Sequence, residues 1–255
     1  MNGTDACRRC LKEQFGIMAS DEEFVVALAG NPNVGKSTIF NALTGMKQHT
    51  GNWAGKTVTE AVGRFEWLGA KFVLVDLPGT YSLGAGRAEE AVTRDFICFA
   101  RPDAVVVVVD ASRLERNLFL VLQVLEITKR VVVCVNLMDE AEANGIMIDL
   151  IRLEDILCLS VVGTSANQRE GIFELRNVLW RTCETDVLRP PRANRYSPFI
   201  EEAVGSIVPI IKDAVGGLFD AKWLAMRSLE GDEKCLFRAK EMISVAEKVG
   251  GRCEL

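Results

Sequence analysis

The residues with the most specific chemistry run Gly30-Asn31-Pro32-Asn33-Val34-Gly35-Lys36-Ser37. They match the pattern G-x-x-x-x-G-K-[ST], in which a loop wraps its backbone amides around a phosphate chain. The glycines let the backbone approach the phosphate oxygens, and the amides opening the next helix face an anion. In such a loop Lys36 is a point charge for the β- and γ-phosphates, and the Ser37 hydroxyl is a hard oxygen ligand for Mg²⁺. Thr38 completes the expected binding segment.

Three more short motifs extend this chemistry. In Asp76-Leu77-Pro78-Gly79, an aspartate at a strand end holds Mg²⁺ through water, and the Gly79 amide faces a γ-phosphate. In Asn136-Leu137-Met138-Asp139, the Asp139 carboxylate can accept from both the N1–H and the 2-amino group of guanine, a pair that adenine lacks. Asn136 is expected to brace that pocket, with Met138 beside the base. Leu137 stands where small GTPases carry a lysine, which removes an apolar stem and a charge. Thr164-Ser165-Ala166 is read as the last base-contacting loop, offering a backbone amide to the base oxygen. Between the first helix and the next strand, Thr57 stands where a switch threonine adds its hydroxyl to Mg²⁺ when a γ-phosphate is present. Trp53, nearby, is either a surface group over the nucleotide or a buried aromatic. Ras-type proteins place a glutamine directly after D-x-x-G to orient water, whereas this chain has Thr80, so slow intrinsic hydrolysis is expected.

These loops need a rigid frame. Continuous apolar runs at Phe24–Ala29, Ala104–Asp110 and Val131–Asn136 read as strands buried on both faces. Ala61–Trp67 and Lys71–Asp76 flank Leu68-Gly69-Ala70 as a hairpin, and Leu159–Gly163 offers a sixth strand. Helical spacing covers Ser37–Thr44, Glu89–Ala100, Leu118–Lys129 and Gly171–Thr182. Alternating strands and helices predict an α/β fold of the P-loop GTPase type: a mostly parallel six-stranded sheet with one antiparallel edge strand. Motifs that follow strands would meet at the carboxyl ends, where such sheets bind ligands.

Leu188-Arg-Pro-Pro-Arg192 cannot continue a helix, and no strand pattern returns beyond it. Pro198–Val215, Ala221–Leu229 and Glu233–Val249 read as a small all-helical domain. The expected organisation is an N-terminal extension over 1–22 lying outside the fold, a nucleotide-binding domain over 23–188, a linker over 189–196 and the helical domain over 197–255.

The chain has 255 residues with 30 basic and 35 acidic side chains, a net charge of −5 that speaks against a nucleic-acid partner. No apolar run approaches the roughly 18–20 residues of a membrane helix. Eight cysteines mostly sit singly in apolar segments, as small core residues of a reduced protein do. Cys7-Arg-Arg-Cys10 is the one close pair, and neither a second such pair nor a second histidine besides His49 accompanies it. A flexible tail is the expectation there; a metal-sensing tail is the competing one.

The strings GNPNVGKST, GNWAGKTV, DLPGTYSL, EEAVTRDFI, NLMDEAE, VVGTSANQREGI and AKWLAMRSLEGD together resemble the cytosolic N-terminal part of bacterial ferrous iron transport protein B, FeoB. That resemblance implies a GTP-hydrolysing G domain followed by a helical domain that slows nucleotide release. It also implies a partner membrane domain conducting Fe²⁺, not contained in this chain, a place at the cytoplasmic face of the bacterial inner membrane, and room for a homo-oligomer. It further implies stimulation by K⁺, held by Asn33 in the loop and by backbone carbonyls of Gly51 and Trp53, where the cation neutralises charge as an arginine finger does. The implied catalytic set is Asn33, Lys36, Thr57 and Gly79. Ala54 departs from the proline common in the family, leaving that loop freer. The alternative is a GTPase of the Era or TrmE type acting on ribosomes or tRNA, which shares the loop asparagine but normally adds an RNA-binding part.

Overall fold

The computed structural model describes residues 9–45, 48–52, 59–84, 86–185 and 196–250. Trp53, Ala54, Thr57, Cys7 and residues 186–195, which include most of the expected 189–196 linker, lie outside the described residues.

Among the described residues, seven strands form one sheet: β1 (Glu23–Gly30), β2 (Gln48–Asn52), β3 (Thr59–Trp67), β4 (Ala70–Asp76), β5 (Ala104–Asp110), β6 (Val131–Asn136) and β7 (Ser160–Gly163). The order is β2-β3-β4-β1-β5-β6-β7. β1 runs parallel to β4 and β5, and β5, β6 and β7 continue in parallel. The six expected strands are all present, and β3 pairs antiparallel with β4. The expected edge is corrected, because β2 pairs antiparallel with β3 and takes the outer position. Its sequence, QHTGN, has no apolar alternation to announce a strand, so only pairing with β3 defines it.

Residues of alternate parity along the strands feed opposite faces. Val26, Leu28, Leu74, Val106, Val108 and Cys134 pack under α1 (Lys36–Thr44) and α6 (Ile172–Glu184). Val25, Ala27, Val75, Val107 and Val133 pack under α2 (Ala88–Asp95) and α3 (Leu114–Ile127). α2 continues as a π-helical turn, Phe96–Ala100, whose five residues are all buried. Two short helices, α4 (Met138–Ala143) and α5 (Leu150–Leu157), fill the β6-to-β7 connection.

The second face carries more than its own helices. α7 (Pro198–Val215), α8 (Ala221–Leu229) and α9 (Glu233–Gly250) form the helical unit, and Phe219, Trp223, Leu224, Cys235 and Met242 belong to the same apolar cluster as Phe96 and Phe99. Phe99 and Phe219 meet edge to face with centroids 5.1 Å apart. Arg94 on α2 donates to Asp232 at 2.6 Å and also pairs with neighbouring Asp95, with both Arg94 and Asp232 side chains under a tenth exposed. Asp232 also accepts from the Cys235 amide, so one carboxylate caps α9 and anchors it to α2.

The expectation that 1–22 lies outside the fold does not hold for its described part. A helical turn over 9–13 buries Leu11, and Phe15 and Ile17 follow it into the second-face cluster. Lys12 pairs with Asp103 at 2.7 Å, and Phe15 lies between the Phe96 ring and the Arg238 guanidinium of α9. Three apolar side chains separated by polar ones in a short segment carry too little periodicity to show this docking. Cys10 is buried, and desolvation, then Glu13, pushes its thiol up, away from reactive thiolate. Five of the six described cysteines are buried and all six are free, as core packing requires.

Replacing Asp232 by asparagine leaves the Arg94 cation buried with a weaker set of partners. Arg94 keeps Asp95, so urea unfolding should show a loss of about 1.5–3 kcal/mol. Glu241→Gln, which breaks the exposed pair with Arg238, should cost under about 1 kcal/mol.

Candidate functional site

The loops after β1, β4, β6 and β7 converge at the carboxyl edge of the sheet. β1 ends at Gly30, where an added Cβ would stand 2.7 Å from the Val108 carbonyl oxygen of β5. Gly35 has φ 79°, and a Cβ there would meet the Asn136 side-chain nitrogen at 2.3 Å, so both conformation and space demand glycine. Asn33 also sits in the left-handed region, with φ 66°, which asparagine tolerates. α1 then begins at Lys36 with no side-chain cap and no acidic residue in its first turn. Its leading amides are therefore free of an intramolecular carboxylate and suit an anionic ligand.

Lys36 makes an ion pair with Asp76 at the end of β4. Burial pushes the Asp76 carboxyl up, and the ammonium pulls it back without cancelling the rise. With Ser37 exposed at the loop mouth, the site presents one cation, one carboxylate and one hydroxyl within the same loop pair. A hydroxyl and a carboxylate are the hard oxygen donors that suit Mg²⁺.

The Asp76–Gly79 loop is stitched to the phosphate-loop strand: Leu77 donates to the Leu28 carbonyl at 3.0 Å and Thr80 to the Gly30 carbonyl at 3.1 Å. Gly79 faces Pro32, with an added Cβ 3.4 Å from its backbone. The Thr80 hydroxyl donates to the Ser82 carbonyl at 2.7 Å, so this side chain is used inside the loop and does not replace a water-orienting glutamine. Behind the loop, the Thr93 hydroxyl donates to the Pro78 carbonyl at 3.1 Å, one residue before Arg94 reaches the helical unit. Gln123 on α3 accepts from the Leu83 amide, and Arg116 lies over the Tyr81 ring at 4.4 Å.

Asn136 joins three loops. Its amide nitrogen donates to the Val34 carbonyl at 3.0 Å, while its oxygen accepts from the Thr164 hydroxyl at 3.0 Å and the Ala166 amide at 3.2 Å. Met138 donates its amide to the Thr164 carbonyl, and the Asp139 amide donates to the Ser165 hydroxyl at 3.2 Å. Leu137 adopts φ 63° and turns the chain into α4. Its Cδ2 lies 3.9 Å from where a Gly35 Cβ would stand, so the lysine's charge is gone but an apolar contact with the phosphate-binding loop remains.

The structure thus brings Gly30 through Thr38, Asp76, Gly79, Asn136, Met138, Asp139 and Thr164 through Ala166 to one end of the sheet. Gly51 is the last-but-one residue of edge strand β2, whereas Thr57 and Trp53 lie outside the described residues. Sequence reasoning missed two residues. Thr93 lies within the string EEAVTRDFI, but nothing in that string points its hydroxyl to the Pro78 carbonyl. Gln168 follows the Thr164–Ala166 motif, and its side-chain nitrogen donates to Asp139 Oδ2 at 3.0 Å. Neither contact leaves a signal in spacing.

Strand order, phosphate-binding loop and base-side loops define a P-loop GTPase fold, and solved structures agree. The G domain of the T. maritima FeoB iron transporter is 41% identical with a TM-score of 0.61, over 64% of this chain and 99% of that one. The cytosolic domain of the same transporter, in a GDP form, is 31% identical with a TM-score of 0.77, over 89% of this chain and 97% of that one. The chain belongs to the ferrous iron transport protein B family, whose profile matches residues 24–179, while a FeoB cytosolic helical domain profile matches residues 196–253. The Fe(2+) transporter FeoB of Methanocaldococcus jannaschii is 42% identical over 212 residues, which cover 83% of this chain and 31% of that protein. The match to the Fe(2+) transport protein A/FeoB fusion of Porphyromonas gingivalis covers 25% of it, so the chain spans under a third of these relatives' length. Among the described residues, no helix is long and apolar enough to cross a membrane.

Asn136→Ala removes three hydrogen bonds at once and takes from the Val34 carbonyl and the buried Ala166 amide the partner they share. Thermal unfolding should report a loss of about 2–4 kcal/mol. Asn144→Ala, which removes one exposed side-chain bond to the Glu140 carbonyl, should stay within about 0.5 kcal/mol.

Proposed function

We propose that this chain binds a guanine nucleotide with Mg²⁺, hydrolyses GTP slowly to GDP and phosphate, and serves as the regulatory part of a ferrous iron transporter. The observation carrying this reading is the tie from Asn136 to the phosphate-binding loop on one side and to the base-side loop on the other. It sets a phosphate cradle and the Asp139 carboxylate on one frame, as a nucleotide requires. The GDP form of the T. maritima relative supports the choice of ligand.

Nucleotide binding exchanges partners. The Lys36 ammonium, paired with Asp76, turns to the β- and γ-phosphates, which are stronger anions than a single carboxylate. Ser37 would supply a direct hydroxyl ligand for Mg²⁺ and Asp76, released from that pair, would hold the ion through water, with the Thr57 hydroxyl joining when a γ-phosphate is present. Bound Mg²⁺ would neutralise phosphate charge. Gly79 offers its amide to the γ-phosphate. Asp139 accepts from the guanine N1–H and 2-amino group, and the backbone of Thr164 through Ala166 frames the base.

No glutamine orients water, so another positive charge must assist the transition state. We assign that task to K⁺ held by Asn33 together with the Gly51 and Trp53 carbonyls, where it would offset charge developing on the β–γ bridge. The helical unit, joined to α2 through Arg94 and Asp232, is assigned the slowing of nucleotide release. In the full transporter this part would sit at the cytoplasmic face of the bacterial inner membrane, with the membrane domain as its partner.

GTP turnover in matched K⁺ and Na⁺ buffers tests the mechanism. Turnover should be at least about tenfold faster in K⁺, and Asn33→Ala should bring the two rates together. Equal rates for the unaltered chain would remove K⁺ from the mechanism. Separately, Asp139→Asn should weaken GDP binding by about a hundredfold, measured by calorimetry, while xanthosine diphosphate gains affinity. ATP competing with GTP at equal concentration would overturn the role of Asp139.

A further inference from the structure

Asp139 is already engaged. Gln168 donates its side-chain amide to Asp139 Oδ2 at 3.0 Å, across the gap between the loops that follow β6 and β7. The fold holds Gln168 where it can do so. It ends the 3-10 turn Ala166–Gln168, its amide donates to the Ser165 carbonyl at 2.9 Å, and the next residue donates back to Ala166 at 3.1 Å. The turn is fastened by the Ala166 amide to Asn136, and Asp139 is fastened by its own amide to Ser165. Donor and acceptor are thus set on backbones that are both tied to the same frame.

The chemistry of the donor is telling. A side-chain NH₂ on a carboxylate oxygen is the same hydrogen bond that the 2-amino group of guanine makes. We propose that Gln168 is a specificity-determining residue: its amide occupies the Asp139 oxygen that the guanine 2-amino group needs, and so acts as a built-in competitor of the base. The proposal rests on the guanine-binding reading above and adds what sets the strength and selectivity of that binding.

The consequence is selective by chemistry. Guanine offers two donors, one for each carboxylate oxygen, so its 2-amino group approaches the Oδ2 already held by the Gln168 amide and competes with it there. Hypoxanthine offers N1–H but no 2-amino group, so it can use the free oxygen while Gln168 keeps Oδ2. Gln168 therefore weakens guanine binding, leaves hypoxanthine binding nearly untouched, and narrows the gap between the two. A site that is competent only in the fraction of molecules with the competitor displaced binds with an affinity reduced by that fraction. A hydrogen bond of ordinary net strength keeps that fraction at about a third or less.

The test measures GDP and inosine diphosphate binding to the chain by calorimetry, with association and dissociation rates by stopped flow, for the unaltered protein and for Gln168→Ala. The variant should bind GDP about threefold or more tighter, through faster association, with inosine diphosphate changed by less than about 1.5-fold. Gln168→Met keeps the length of the side chain without its donor and should behave the same. Gln168 is exposed, so both variants retain the fold. GDP affinity unchanged or weakened in both variants overturns the proposal, as does equal tightening of GDP and inosine diphosphate. If the unaltered chain shows no preference for GDP over ADP, the guanine reading fails first and the competitor role with it. If that preference is present while both variants match the unaltered chain, only the competitor role fails.

Discussion

Everything at the site depends on one buried side chain. Asn136 spends its amide nitrogen on the Val34 carbonyl and its oxygen on Thr164 and Ala166. An amide is suited to this because it donates and accepts at once, and a buried polar group left unpaired is costly. A carboxylate there could not donate to Val34, and an apolar residue could hold none of the three loops. Gly35 belongs to the same constraint, since any Cβ at that position would collide with the Asn136 nitrogen. The phosphate loop and the base-side loops are therefore held in fixed relation by this one side chain.

The charges around that frame are balanced in the protein's own terms. Lys36 satisfies Asp76, while the first turn of α1 has no acidic side chain, so the helix amides face outward for an external anion. In the proposed mechanism a phosphate chain would take over Lys36 and leave the carboxylate for hard-cation chemistry. On the base side, Gln168 does for Asp139 what Lys36 does for Asp76: an internal donor occupies an acceptor that a ligand is proposed to use. Both pairs lower the cost of keeping a carboxylate partly buried.

The helical unit is not a loosely tethered appendage. Its apolar residues continue the cluster on the α2 and α3 face, and Arg94 reaches from α2 to Asp232. Adjacent Thr93 holds the Pro78 carbonyl inside the Asp76–Gly79 loop. Two neighbouring residues on one helix thus touch the loop assigned to phosphate sensing and the first turn of α9. The N-terminal segment adds a third fastening, with Phe15 between Phe96 and Arg238.

The chain alone determined what depends on local rules. Continuous valine runs can only be doubly buried strands, a G-x-x-x-x-G-K-S run between a strand and a helix can only wrap tightly, and prolines at 190 and 191 forbid a helix. From these came the sheet's parallel core, the phosphate loop, the placing of Asp76, Asn136 and Asp139 after strands, and helices α7 and α8 at their observed bounds. Tertiary structure alone decided the rest. β2 has no pattern of its own and exists because β3 offers an open edge. The docking of Leu11 and Phe15 needs a cleft built by residues some 80 to 220 positions away, and the Gln168–Asp139 and Arg94–Asp232 contacts join side chains 29 and 138 positions apart. Periodicity reports which way a side chain faces within its own element; which partner it meets there is set by how the elements pack.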